Sequence, residues 1–446
     1  MPDSAVRGGD DRECGWIASL PPAAAAPRRL LATERADCAV VGAGLTGLAV
    51  ARRLAEQRPS WRILLLDAGR AGSGASGRSS GFVVDLPDFA LAMPPEHRDR
   101  YWRVAGSGFT TLRELVRRHA IDCAWDDSGF LRGAAGKAAL RLLAPWPRRF
   151  DALGVPYEPL DAAALREITG TGFYRAGLRL PGTALVQPAA LARGLRDALP
   201  ANVELFEESP VRVEAGRGEI RLAGIGGTAG IGGTAGAVLA RQVFLTTNGY
   251  TPALGFLRRR VFPMLTFASL TRPLEPREQA ALGGHREWGV LAVDPMGSTV
   301  RRTRDQRILI RNTLCYRRGM AIGAGERAGI VEQHRAALLA RFPMLAGVPF
   351  EHTWTGLFGA SANRQHFFGR IGRSELFATA GYNGAGIAMG TAAGSLLADL
   401  ALGVDSEGLR DLLALPLPTW MPPEPFFSLG GWFRVARLNS QAGPYL

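Results

Sequence analysis

The sequence predicts an α/β chain, and three observations carry that class. Residues 38–41 form a short apolar run that ends in glycines. Leu45, Leu48, Ala49 and Leu54 then recur at helical spacing. Residues 63–66 form a second apolar run, too short for a helix and closed by Asp67, as expected of a parallel strand buried on both faces. Strand, helix and strand in that order make a βαβ unit, the opening of a Rossmann-like fold.

Beyond this unit, helical patterns cover 97–119 and 137–153, and strand-like segments cover 174–186, 203–213 and 218–247. Residues 261–272 and 298–313 again read as strands. Residues 326–341 read as a helix, and 385–402 as a small-residue helix after a glycine-rich turn. The middle of the chain is therefore mixed α/β. Residues up to about 31 are rich in Pro, Ala and Arg and read as an irregular lead-in able to fold back over the protein; the last forty bear Pro and Trp and are equally irregular. IGGTAG at 225–230 is repeated at 231–236 and spells a dinucleotide-like GxGxxA. No helical pattern and no acid follow it at the required distance, so it reads as an expanded hairpin loop.

Composition narrows the function. A chain of 446 residues exceeds what one hydrophobic core usually supports, and its 47% apolar content is ordinary for a globular enzyme. The net charge of +13 comes almost wholly from arginine, Lys137 being the only lysine. The arginines are interleaved with acids, as in Arg301, Arg302, Arg304, Asp305 and Arg307, so no basic groove for nucleic acid is expected. Cys14, Cys38, Cys123 and Cys315 lie far apart with no CxxC pair, which argues against a metal site or a disulfide framework and fits a reducing cytoplasm. Asp10, Asp11 and Glu13 precede a short Pro-interrupted apolar stretch, and no run is long enough to span a bilayer, so neither export nor a membrane partner is expected.

The chemistry rests first on GAGLTG, Gly42 to Gly47 with Ala43, Leu45 and Thr46 between the glycines. Gly42 permits the tight turn, Gly44 admits a pyrophosphate to the backbone, and Gly47 lets helix and strand approach. Asp67, twenty residues after Gly47 and followed by Ala68, is placed to accept ribose hydroxyls. A turn serving packing alone would need neither the flanking elements nor that acid. A second loop follows, containing Gly74, Ala75, Ser76, Arg78, Ser79, Ser80 and Gly81. Nicotinamide enzymes have no need of it, whereas the long nucleotide of a flavin requires backbone N–H groups and hydroxyls along its whole length. A flexible surface loop is the alternative reading.

GAGLTGLAVARRLAEQ, LLLDAGRAGSGASGRSSGF, ESPVRV, VFLTTNGYTP and GYNGAGIAMGTAAGSLLADL, in this order from about 37 to 403, resemble successive signatures of the D-amino-acid oxidase superfamily. HTWTGLFGASANRQHFFGRIG and the Pro/Trp-rich tail are most similar to the branch containing γ-glutamylputrescine oxidase. The resemblance implies a glutathione-reductase-like FAD-binding domain assembled from 30–86, 182–252 and 350–403. A β-rich α+β substrate domain, 87–181 and 253–349, would be interleaved with it, with 1–29 as lead-in and 404–446 as C-terminal extension. It further implies that Val211 meets the adenine through its backbone and that Thr247 and Asn248 close a strand end beside the nucleotide. Gly384, Ala385, Gly386 and Ile387 would bring N–H groups to the flavin pyrimidine edge, where the N-terminus of the following helix would stabilise negative charge on the reduced ring.

Departures from the family bear on substrate and acceptor. Relative to sarcosine oxidases, Ala385 and Ala388 replace a histidine and a carboxylate-binding lysine, which disfavours a simple α-amino acid held in that way. The flavin-linking cysteine would fall near Leu357 or Phe358, so FAD is expected to be non-covalent. The oxygen-activating lysine would fall near Leu309. Candidates for substrate contact are Arg301, able to pair with a carboxylate or sit in an ordinary ion pair; His366, a base or a satisfied core residue; and Tyr382, beside the flavin-edge turn. The expected function is oxidation of a small primary or secondary amine, of γ-glutamylated or polyamine type among others, by hydride transfer to flavin N5, with oxygen or another acceptor completing the cycle. A nicotinamide-dependent dehydrogenase and a non-catalytic FAD-binding protein are the alternatives. With Lys137 expected at the surface, any cation assisting oxygen would be His366 first and Arg301 second.

Overall fold

Ile63–Leu66 is apolar at all four positions and fully buried at each, because the sheet it joins is covered on both sides. Burial of each such side chain contributes about 1.5–3 kcal/mol relative to exposure, enough to hold a strand of only four residues in place. The computed structural model describes residues 14–22, 25–214, 219–225, 236–294, 297–316, 320, 322–427 and 429–431. The IGGTAG repeat from 226 to 235 and the ends of the chain beyond 14 and 431 lie outside the described residues, although the strands flanking the repeat, Ile220–Gly224 and Ala237–Leu245, pair antiparallel.

The first sheet runs Phe367–Arg370, Leu376–Ala380, Ala237–Leu245, Thr33–Val41, Ile63–Leu66 and Val203–Phe206 in spatial order. All neighbours are parallel except Phe367–Arg370, which returns antiparallel along its partner. Side chains alternate between two covers. Val40, Ile63, Leu65, Phe244 and Phe377 face a helical layer that draws on Leu45–Gln57, Pro95–Arg118, Pro188–Asp197 and Ala388–Leu402. Ala39, Val41, Leu64 and Leu66 instead pack with Val211, Ile220, Leu222 and Val238, from a meander that branches off Ala237–Leu245. Helix Pro95–Arg118 thus sits in the layer over the first sheet, although the expected substrate segment begins at 87.

A second eight-stranded sheet runs Phe350–Ala360, Phe262–Thr271, Ile308–Tyr316, Thr299–Arg302, Trp288–Ala292, Phe130–Ala134, Ala176–Leu180 and Glu158–Asp161. Its pairs are antiparallel except Trp288–Ala292 with Phe130–Ala134. Phe350–Ala360 is its edge strand, although the expected flavin segment begins at 350. One face packs Val300, Ile308 and Ile310 against Ala337 and Leu338 of helix Ala324–Arg341. The other face turns toward the second glycine loop, where Trp354 Nε1 donates to the Arg78 carbonyl at 3.1 Å. The helix read over 137–153 is two, Lys137–Leu143 and Trp146–Leu153, broken at Pro145, whose ring removes the N–H a continuous helix requires. Among the described residues no helix is long and apolar enough to cross a membrane, and no cluster of three or more His, Cys, Asp or Glu is arranged to hold a metal ion.

Candidate active site

Strand Thr33–Val41 delivers the chain to Gly42, which turns at a φ of +103°, a conformation that favours glycine. The turn is pinned from two sides. Gly42 N–H donates to the Leu66 carbonyl at 2.7 Å, and Thr246 Oγ1 lies 2.9 Å from the carbonyl oxygens of both Val41 and Gly42. The Asp67 carboxylate accepts from Ala43 N–H at 2.7 Å through one oxygen and from Gly69 N–H at 2.8 Å through the other. A carboxylate has further lone pairs, so Asp67, which lines the cavity described below, can also accept from a ligand. A Cβ on Gly47 would lie 1.8 Å from the Gly42 carbonyl oxygen, so the helix Leu45–Gln57 starts where it does only because that side chain is missing.

The second glycine loop completes this cradle. Ser76 Oγ accepts from Leu45 N–H at 3.0 Å, filling one of the open donors of the helix start. A Cβ on Gly44 would meet the same Ser76 Oγ at 2.7 Å. Arg78 donates from Nε to the Ser73 carbonyl at 2.7 Å, and the Ser79 carbonyl accepts from Trp16 Nε1 at 2.8 Å. Trp16 belongs to the lead-in, of which residues 14–22 therefore lie back over this loop. Arg301 is buried beneath the same loop, with its guanidinium donating to the Val186 carbonyl, 3.2 Å from a Glu287 carboxylate oxygen and stacked near the Trp16 ring.

These loops open onto one cavity of about 1520 Å³, larger than the roughly 300–1,000 Å³ of an ordinary small-ligand site. Every residue expected to hold the cofactor lines it except Ala43 and Gly47, whose roles are a backbone bond and a close approach. Val211 marks one end, beside Arg29 and Glu208, which form an ion pair. Farther along lies the turn Gly384, Ala385, Gly386 and Ile387, from which helix Ala388–Leu402 starts with no side-chain cap. That helix is packed tightly into place: a Cβ on Gly394 would meet the Thr46 carbonyl oxygen at 2.4 Å, and one on Gly108 would meet the Ala388 carbonyl oxygen at 2.1 Å. Two asparagines fix the segment before the turn, Asn248 from the end of first-sheet strand Ala237–Leu245 and Asn383 to the end of second-sheet strand Phe350–Ala360. Asn248 Oδ1 accepts from Gly381 N–H at 2.9 Å, and Asn383, at φ +55°, accepts from Ser361 N–H and donates to the Gly381 carbonyl.

Of the substrate candidates, the structure brings only Tyr382 to the cavity wall. Its hydroxyl lies 2.9 Å from Thr379 Oγ1 and 3.4 Å from Thr46 Oγ1, and burial pushes its pKa up to about 12. His366 stands behind it, between the rings of Tyr101 and Tyr382, and burial lowers its pKa to about 4; its Nε2 has no partner among the described residues. It is therefore neutral near pH 7 and does not line the cavity. Arg301 does not line it either: the ion pair with Glu287 and the bond to Val186 occupy the group expected to meet a carboxylate. Lys137 is exposed at the first position of its helix. Leu357 and Phe358 line the cavity at the position where a linking cysteine would stand.

Sequence reasoning missed four contributors: Thr246, Asn383, Trp16 and Arg311. Asn383 had a local signal, since Asn-Gly favours the left-handed turn it adopts. Trp16 had none, because its partner is more than sixty residues away. Arg311, on strand Ile308–Tyr316, lines the second-sheet end of the cavity together with Thr266, Thr299 and Gly356. Burial alone lowers its pKa to about 10, so it remains a cation near neutral pH. The Arg132–Asp88 ion pair lines the same end.

A sequence model of the family described as DAO, FAD dependent oxidoreductase, matches residues 37–400. A gamma-glutamylputrescine oxidoreductase from Escherichia coli is 30% identical over 402 residues, 85% of this chain and 86% of that protein. A probable oxidoreductase, OrdL, from Haemophilus influenzae is 26% identical over 411 residues, 86% of this chain and 87% of that protein. In structure, the chain is similar to glycine oxidase from Geobacillus kaustophilus, with a TM-score of 0.70 and 21% identity over 84% of this chain and 96% of that one. It is also similar to iminodiacetate oxidase from a Chelativorans species, with a TM-score of 0.66 and 21% identity over 86% of this chain and 98% of that one. The chain belongs to the DAO family of FAD-dependent oxidoreductases, and FAD is its cofactor.

Proposed function

We propose that this family member oxidises a small primary or secondary amine, with γ-glutamylated and polyamine-type amines as the first candidates, in the chamber between the Gly384–Ile387 turn and the second sheet. The observation that carries this reading is the continuity of the cavity, which runs from the Asp67 cradle past the uncapped start of helix Ala388–Leu402 to a walled space lined by Thr266, Thr299 and Arg311. Held along the Asp67, Ser76 and Gly384–Ile387 side of the cavity, FAD would supply the acceptor for the hydride of the amine's α-carbon, and water would hydrolyse the imine so formed.

What the chain's own residues contribute is orientation and charge balance. The Asp67 oxygens, the Ser76 hydroxyl and the side-chain-free approach at Gly44 suit a ribose and a pyrophosphate. The open N–H groups at the start of helix Ala388–Leu402 favour negative charge at the turn before them. Neither Tyr382 nor His366 is poised as a base: the Tyr382 phenol is held protonated, and neutral His366 is screened behind it. In this reading the amine enters deprotonated, losing its proton to solvent. The name of the Escherichia coli relative supports the γ-glutamylated class, and those of glycine oxidase and iminodiacetate oxidase support an amine nitrogen on the oxidised carbon.

Anaerobic mixing of the FAD-loaded protein with a panel of γ-glutamylated amines, polyamines and N-alkyl amino acids tests the reading through bleaching of the flavin absorbance. Bleaching by at least one class is expected. A flavin that dithionite reduces but no amine bleaches would assign the bound FAD a non-catalytic role.

A further inference from the structure

After helix Glu407–Leu413 the chain continues as a strap, residues 415–427, that is tied down along its length. Asn363 Nδ2 donates to the Leu417 carbonyl at 3.0 Å, and Arg260 donates to the Pro418 carbonyl at 2.9 Å. Arg259 Nε donates to the Met421 carbonyl, Met421 N–H donates back to the Arg259 carbonyl, and the Trp420 ring lies against the guanidinium groups of Arg259 and Arg260. Tyr316, the last residue of strand Ile308–Tyr316, donates its hydroxyl to Glu424 at 3.0 Å. Phe427 then sets its ring edge-on, 4.9 Å from that of Phe262 and 5.3 Å from that of Tyr316. The strap thereby becomes cavity wall, which Pro422, Phe426 and Phe427 line. Phe426 is nonetheless 67% exposed, so this wall stands at the cavity mouth.

Strand registers connect the strap to the flavin-edge turn. Met264 lies opposite Tyr316 on one neighbouring strand and Phe358 on the other, so the three side chains share one face of the sheet, and all three line the cavity. A Cβ on Gly384 would come 4.0 Å from the Phe358 ring. An apolar surface therefore runs from Gly384 through Phe358, Met264 and Tyr316 to Phe427. A segment that served packing alone would bury its apolar side chains, yet between Thr419 and Phe427 only Met421 is buried. Apolar surface left open at a cavity mouth is what the apolar part of a ligand gains by covering. We infer that the C-terminal strap is the far wall of the substrate chamber and that Phe427, positioned by Phe262 and Tyr316, is a specificity-determining residue that favours amines bearing an extended aliphatic or aromatic group. The inference rests on the amine-oxidising reading of the site. It separates long amines, whose chains reach the strap, from amines of one or two carbons, which leave it uncovered.

The test uses the full-length, FAD-loaded wild type with Phe427→Ala and Phe427→Leu, and it has two readouts. Titration of the oxidised protein with n-alkanols from ethanol to octanol, followed by perturbation of the flavin spectrum, reports binding of the chain without an oxidisable amine. Turnover of n-alkylamines from ethylamine to octylamine reports the same chains as substrates. In the wild type, affinity and kcat/KM should each rise by about three- to four-fold per methylene over the part of the chain that reaches the strap. Phe427→Ala should flatten that rise to less than about two-fold per methylene, through KM with little change in kcat, while leaving ethylamine unaffected; Phe427→Leu should restore most of it. A wild type indifferent to chain length, or a rise that persists undiminished in Phe427→Ala, would overturn the inference. So would a Phe427→Ala protein that loses FAD but keeps the dependence on chain length, because the strap would then cover the cofactor and not the substrate. If no amine bleaches the wild-type flavin, the amine-oxidising reading fails, and the alkanol titration still decides the role of Phe427.

Discussion

The hydroxyl of Ser76 accepts the Leu45 N–H at 3.0 Å, joining the second glycine loop to the first turn of the nucleotide helix. Gly44 faces this junction, whereas Gly47 faces the turn at Gly42. A Cβ at 44 meets only the Ser76 hydroxyl, at 2.7 Å, whereas a Cβ at 47 meets the Gly42 backbone oxygen at 1.8 Å. Gly44→Val should therefore displace Ser76, crowd the pyrophosphate and abolish FAD binding in a protein that still folds. Gly47→Ala should lose both FAD and stability, by about 2 kcal/mol or more, because backbone cannot step aside. The flavin-to-protein absorbance ratio and the unfolding midpoint separate the two. Full flavin occupancy in Gly44→Val would show that the cradle is misassigned.

Leu357 and Phe358 stand where a flavin-linking cysteine would, and Cys14, Cys38 and Cys123 are buried in the core. Acid or heat should therefore release the flavin into the supernatant, leaving a colourless pellet. Yellow colour retained by the washed precipitate would demonstrate a covalent link.

How far the sequence could be read depended on how local each feature was. The βαβ unit, its glycines and Asp67 were legible because one turn and one helix hold them within about thirty residues. In the second sheet the strands within 174–186, 261–272 and 298–313 were legible, but Phe130–Ala134, Glu158–Asp161, Trp288–Ala292 and Phe350–Ala360 were not, and neither was the order, since Phe350–Ala360 pairs with Phe262–Thr271 across some ninety residues. Arg301 and Arg311 show the consequence. Nothing in their own strands tells which is free. Arg301 is taken up by Glu287, from the segment preceding strand Trp288–Ala292, and by the Val186 carbonyl, a choice that only the assembled sheet makes. His366 was misleading for the same reason, because the tyrosines that enclose it come from helix Pro95–Arg118 and from the flavin-edge turn.

Burial lowers the pKa of His366 from the usual 6.5 to about 4. As the pH falls below 6.5 the unfolded chain takes up a proton that the folded chain refuses, so stability conferred above that pH is progressively lost down to about pH 4. At pH 5 this one residue should cost about 2 kcal/mol. Urea unfolding at pH 7 and pH 5 should show a smaller loss in His366→Phe than in the wild type. Equal losses in the two proteins would mean that the imidazole is not enclosed as described.

The electron acceptor is the remaining prediction. Reduction of oxygen by a flavin begins with transfer of one electron, and a fixed cation near the ring lowers that barrier by stabilising superoxide. Lys137 is exposed at the first position of helix Lys137–Leu143, Leu309 is packed in an apolar cluster with Trp16 and Trp354, His366 is neutral, and Arg301 is neutralised by Glu287. None of these residues lines the cavity. Reoxidation of the reduced protein by oxygen should therefore be unchanged in Lys137→Met and His366→Phe. Arg301→Gln should reduce stability before it touches the rate, because the cations that line the cavity, Arg311 among them, lie elsewhere. Stopped-flow traces after anaerobic reduction measure this directly. Fast reaction with oxygen that disappears in Lys137→Met or His366→Phe would show that a cation acts there after all, and would return one of these residues to the flavin.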